Sequence, residues 1–159
     1  MGFRQWVTNV LGGSTDNLRD HVLASSAAED PLEEEAAGLN FRTAIGAHQQ
    51  WKERLQAVID GSHSEDLDVE VISRDDRCML GKWIHGDGGK LFGSDERFQE
   101  LHKNHVHFHL CAGTVLKLAQ TGRKTEALAL LKTGDYAKVS RDVMLDLAQM
   151  YSRASEKQN

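Results

Sequence analysis

The stretch SDERFQELHKNHVHFHLCAGTVLKLAQTG, Ser94 to Gly122, decides how the chain folds. Within it Phe98, Leu101, His102, His105, Phe108, His109, Ala112, Val115, Leu116 and Ala119 recur at steps of three and four, the spacing of one helical face. Ser94 is the expected N-cap, Asp95 and Glu96 suit the positive end of the helix dipole, and Gly122 ends the run. A helix this long, with so wide an apolar stripe, needs other helices to cover it.

Upstream, Phe41, Ala44, Ile45, His48, Trp51, Leu55, Val58 and Ile59 form a second stripe of the same period, ended by Gly61. His48 lies inside that stripe, so its ring faces the core. The stretch from 61 to 72 reads as polar loop, with an unassigned alternating patch, LDVEVI. Ser73 is then an expected N-cap, with Asp76 three residues on, for a short helix through Cys78, Leu80, Trp83 and Ile84 that GDGG breaks. Downstream, TEALALLKTG and DYAKVSRDVMLDLAQMYSRAS form a helical pair with Tyr136, Val139, Val143, Leu147 and Met150 facing inward. Amphipathic helices joined by short turns imply an all-α, antiparallel bundle.

Two parts precede the bundle. Phe3, Trp6, Val7, Val10 and Leu11 of FRQWVTNVL sit at helical spacing, and this N-terminal amphipathic helix is assigned to residues 1–14. It packs on the domain or a dimer mate, or docks elsewhere. Residues 15–39, with the acidic run AAEDPLEEEAAG and its Pro31, read as a solvated linker or loose helix, and the main domain spans 40–155.

At 159 residues the chain is long enough for one sizeable core. A net charge of −5 argues against nonspecific nucleic-acid binding, which needs clustered Lys and Arg. No apolar run approaches the roughly 20 residues that span a bilayer, no signal peptide is read, and MGFRQW lacks the Ser or Thr of a myristoylation motif. The expected location is cytoplasmic. There Cys78 and Cys111 do not form a disulfide framework, and each is a buried small hydrophobe, a metal ligand or a redox-active thiol.

His105 and His109, four apart, stand on one helical face about 6 Å apart at Cβ, close enough to reach one ion. His102 lies at the edge of that face, His107 points away, and Cys111 falls on the flank. Taken alone, the pair reads equally as two core imidazoles hydrogen-bonded to their neighbours. His48 adds a third inward ring from another helix, and Cys78 a fourth candidate from a third. Burying three unpaired imidazoles would cost several kcal/mol, whereas one cation satisfies them together. Three nitrogens and a thiolate suit zinc better than magnesium or calcium. Four protein ligands close the shell that a catalytic zinc keeps open, Val106 stands where the HExxH motif needs Glu, and no Glu-x-x-His pair lies on a core face. The chain is therefore not expected to be an enzyme. The reactive element is Cys78, because zinc would hold it as the thiolate that oxidants attack.

HQQW (His48 to Trp51), CMLGKW (Cys78 to Trp83) and HVHFH (His105 to His109) follow one another at intervals that resemble the chemoreceptor zinc-binding (CZB) domain family. The resemblance covers roughly residues 40 to 152. It implies an antiparallel four-helix bundle, usually a homodimer, with one zinc held by His48, Cys78, His105 and His109. It further implies a sensory or regulatory module of bacterial chemoreceptors and diguanylate cyclases, linked to sensing of zinc and of hypochlorous acid through the cysteine. Gly81 and Trp83 read as close packing and core filling. His102, His107 and Cys111 fall outside the motif and read as surface or packing residues. No methyl-accepting hairpin and no GGDEF motif accompany the domain, so the expected partner is a chemoreceptor or other signalling protein in trans. The alternative is zinc as a structural cross-link in a bundle used for dimerisation or partner binding.

Overall fold

A computed structural model of the protein describes residues 35–62 and 66–156. The expected amphipathic helix at 1–14 and most of the acidic segment lie outside them. The described chain is mostly helical, with one two-stranded hairpin. Residues 35–39 are not a solvated linker. β1 (Glu35–Ala36) pairs antiparallel with β2 (Leu39–Asn40), and Ala36 and Leu39 are buried. Ala37 and Gly38 take positive φ of 51° and 77°, the geometry a two-residue hairpin turn needs.

Asn40 caps α1 (Phe41–Asp60), its side chain accepting from the Thr43 amide at 2.8 Å. Gly61, at φ 77°, ends the helix in the left-handed conformation, as its sequence position predicts. The stripe holds: Phe41, Ala44, Ile45, His48, Leu55 and Ile59 are buried, and Trp51 and Val58 pack at its edge.

The next limb is broken. The unassigned LDVEVI patch becomes α2 (Val69–Ile72), a single turn capped by Asp68. Ser73 is not an N-cap. It lies at the C-terminal end of α2, with its hydroxyl donating to Val69 O at 2.7 Å, a local bond that competes with capping. The cap of α3 (Met79–His85) is Cys78 itself, whose sulfur accepts from the Gly81 amide. GDGG breaks the helix as expected, ending it at His85: Gly86 bends the chain, and Asp87 opens a further short helix, α4 (Asp87–Phe92). This segment descends beside α5 (Glu96–Gln120). Gln120 donates to Leu67 O at 2.8 Å, His109 to Ile72 O at 2.7 Å, and Trp83 meets Phe98 edge-on at 5.7 Å between ring centroids, as it meets Phe41 at 5.6 Å.

Asp95, one residue later than the expected Ser94, caps α5 through the Arg97 amide at 2.9 Å. Carboxylate and hydroxyl both suit that role, and the carboxylate adds charge at the positive helix end. α6 (Lys124–Lys132) and α7 (Asp135–Glu156) then run back along α5. Phe108 meets Tyr136, and Asn104 bonds Asp146, so rising numbers in α5 oppose falling numbers in the return limb. Tyr136, Val139, Val143, Leu147 and Met150 are all buried there.

Candidate metal centre

Four predicted residues meet at mid-height between α1, the broken limb and α5. His105 and His109 occupy successive turns of α5, with ring centroids 4.7 Å apart. From α1, His48 approaches them at 5.3 Å and 6.4 Å. Cys78 brings its sulfur to 3.2 Å from His105 Nε2, which is also 3.2 Å from His109 Nε2. One donor atom from each of the four lies within 4.8 Å of the others. All three imidazoles are buried, and Cys78 is half-buried.

Backbone carbonyls orient two of the rings. His48 Nδ1 donates to Ala44 O at 2.7 Å, one turn back on its own helix, and His109 Nδ1 donates to Ile72 O at 2.7 Å. With the proton fixed on Nδ1, each ring turns an Nε2 lone pair toward the centre, the arrangement that ligating histidines use. His105 Nδ1 has no hydrogen-bond partner among the described residues, so no carbonyl orients that ring. Its Nε2 faces both Sγ and His109 Nε2, and one proton there serves only one of them.

Burial decides the protonation states. Desolvation pushes His48 from 6.5 down to about 4 and His105 down to about 2, with neighbouring imidazoles adding repulsion. His109 is also lowered by burial, against the opposing pull of its bond to Ile72 O. The rings are therefore neutral at ordinary pH. Burial raises the Cys78 thiol, and the Gly81 amide at 3.3 Å opposes that rise only in part. Lone pairs converging on one small buried volume repel unless a cation lies between them. Ligand bonds of roughly 2.0–2.3 Å in a tetrahedron set donors about 3.4 Å apart, close to the two 3.2 Å separations seen here. The N₃S set fits zinc.

Gly81 and Trp83 carry the packing expected of them. A Cβ on Gly81 would stand 1.6 Å from the carbonyl oxygen of Asp75, so only glycine lets the Cys78 loop close on α3. Trp83 fills the space between Phe41, Phe92 and Phe98, and its indole N–H donates to Ala37 O at 2.8 Å, tying the hairpin down. His107 is exposed, Cys111 is buried on the flank of α5, and neither joins the four. His102 faces away from them toward Asp75 and His85. Sequence reading passed over Asp75 and His85. Their one signal was position, three residues before and seven after Cys78.

The family model of the chemoreceptor zinc-binding domain matches residues 48–116. The matched span begins at His48 and includes the three other clustered residues. No curated protein and no solved structure matches the chain. Zinc is the metal of the domain matched, and the His/Cys/His/His cluster within the matched span is able to hold it. No helix among the described residues is long and apolar enough to cross a membrane.

Proposed function

We propose that the chain is a cytoplasmic sensory or regulatory module of bacterial signalling, of the chemotaxis or cyclic-di-GMP type. In this reading His48, Cys78, His105 and His109 ligate one zinc, and the module responds to zinc availability or to hypochlorous acid through Cys78. Its body is an antiparallel four-helix bundle spanning 40–155, with the broken limb through α2, α3 and α4 as the second of its four. It works as a homodimer and passes its signal in trans to a chemoreceptor or another signalling protein. It is not an enzyme, because four protein ligands leave no position for substrate.

One observation carries the reading: a single thiol completes an otherwise imidazole cluster, and it sits at the N-cap of a short helix. Zinc supplies the charge that keeps the sulfur a thiolate. Hypochlorous acid takes two electrons from that sulfur, giving a sulfenic acid and chloride. A sulfenic oxygen cannot keep the same contacts with the Gly81 amide and with His105, so the start of α3 must repack. A bundle with two packings passes such a change along its length.

The test doses zinc-loaded protein with hypochlorous acid while zinc release and circular dichroism are followed. Wild type releases zinc and changes its dichroism, whereas Cys78→Ser does neither at the same dose. Equal responses from the two would sink the oxidant reading.

A second reading draws support from the way the cluster joins three limbs: zinc as a structural cross-link of a dimerisation or partner-binding bundle. Chelation separates the two. A cross-linked fold unfolds outright when the metal leaves, and a sensor stays folded with altered packing.

A further inference from the structure

Beside the first cluster, three more metal-ligating side chains converge from different elements. Asp75 lies on the loop before Cys78, His85 is the last residue of α3, and His102 sits on α5 one turn before His105. Asp75 Oδ2 lies 2.7 Å from His85 Nε2 and 3.6 Å from His102 Nε2. The two rings stand nearly perpendicular, 5.0 Å apart at their centroids. Both imidazoles thus turn the same nitrogen to the same oxygen, and the three donor atoms lie within 4.8 Å of one another. An ordinary ion pair needs only one ring. Both arginines of the loop turn to its other carboxylate, since Arg74 holds Asp76 through two bonds of 3.0 Å and 2.7 Å and Arg77 approaches Asp76 at 3.8 Å.

We propose that Asp75, His85 and His102 form a second site for a divalent transition metal such as zinc. Two imidazoles and a carboxylate are a borderline donor set, unlike the all-oxygen cages of magnesium or calcium. The side chains are 22%, 45% and 39% exposed, so water completes the shell and the ion exchanges freely. With three ligands and no thiolate, the site fills at higher free zinc than the first. Binding requires the Asp75 carboxylate to open from its 2.7 Å contact with His85 toward ligand spacing, roughly 3.4 Å, while its 3.6 Å separation from His102 already matches.

The second site bears on the first through one residue. The Asp75 backbone carbonyl lies 4.0 Å from Cys78 Sγ and directly against Gly81, while its side chain faces His85 and His102. An ion on that carboxylate holds the loop that presents the thiol. This regulatory meaning rests on the proposed sensory role of Cys78, but the site itself does not.

The experiment is equilibrium dialysis of the full chain, first against nanomolar and then against micromolar buffered zinc, with metal per chain read by mass spectrometry. The first step reads the His48, Cys78, His105 and His109 cluster. The second step reads the new site. Wild type gains one further zinc in the second step, and the double variant His85→Ala/His102→Ala gains none while keeping its first. Cys78→Ser keeps the second-step gain even where its first-step zinc falls, so failure of one site is not mistaken for failure of the other. No second-step gain in wild type, or an equal gain in the double variant, overturns the proposal. Cobalt gives an independent reading. The second equivalent adds ligand-field absorption without a sulfur-to-metal band, and a second sulfur band would overturn the assignment by pointing to Cys111.

Discussion

Three neutral imidazoles and a thiol in one buried cluster give the metal-free protein a particular dependence on acid. His48 falls from 6.5 to about 4 on folding, so between those values the unfolded chain binds a proton that the folded chain refuses. Its contribution to stability is complete above pH 6.5 and is lost as pH drops toward 4. For His48 alone that loss is about 3 kcal/mol, and His105 acts in the same direction. Urea titrations of zinc-free protein at pH 7.5, 6 and 5 should show the midpoint falling at each step, and a flat series would contradict burial of the neutral rings. Glycine offers a second contrast at this scale. Gly81→Ala drives a methyl into the Asp75 carbonyl and should cost about 3 kcal/mol or more, with weaker zinc binding because the Cys78 loop is pushed away. Gly46→Ala, in α1 with nothing within 4 Å of the new Cβ, should instead stabilise by up to about 1 kcal/mol. The four clustered residues were legible because each lies on an apolar face or in a spaced motif. Asp75 and His85 were not, because a carboxylate in a loop and a lone histidine at a helix end carry no period.

Elements read from periodicity came through where tertiary packing agreed with them. The stripes of α1, α5 and α7 place His48, His105, His109 and Tyr136 inward as their spacing requires. Prediction failed where the backbone turns within a few residues. Ser73 and Ser94 both have capping chemistry, yet Cys78 and Asp95 are the caps, because the descending limb must first bring Ile72 O to His109 and then the sulfur to His105. Long-range contacts set those turns, and no local pattern encodes them. The hairpin was missed for the same reason: AAGLN looks like linker until Trp83 reaches across 46 residues to Ala37 O. That bond makes a prediction at the scale of the element. Trp83→Phe keeps most of the aromatic packing but leaves the carbonyl without its indole donor, costing about 1–2 kcal/mol. The loss should concentrate in the hairpin, so amide exchange of residues 35–40 should rise well above that of α5. Uniform acceleration through α1 and α5 would instead mean that Trp83 acts mainly by filling the core.

Taken whole, the molecule divides unevenly about its metal. The cluster joins α1, the broken limb and α5, whereas α6 and α7 contribute no residue to it. The return limb is held without any help from the metal: Leu101 and Phe108 of α5, with Val143, Leu147 and Met150 of α7, are fully buried, and Asn104 donates to Asp146 at 2.8 Å beside them. The broken limb is in the opposite state. Its helices are of four, seven and six residues, too short to persist without tertiary support, and two of its main anchors to α5 run through His109 and His105. Removing zinc restores repulsion among the converging lone pairs where those anchors meet. Chelation should therefore loosen one limb and spare the rest, as local opening free energies differ across a fold. Hydrogen exchange followed by mass spectrometry, with and without chelator, should show residues 66–92 losing protection by at least tenfold. Peptides from α7 and the facing half of α5 should change little. Such a split is what a sensor needs, because a metal-dependent limb on a metal-independent frame has two packings to choose between. Loss of protection everywhere at once would favour the structural cross-link and remove the sensory reading.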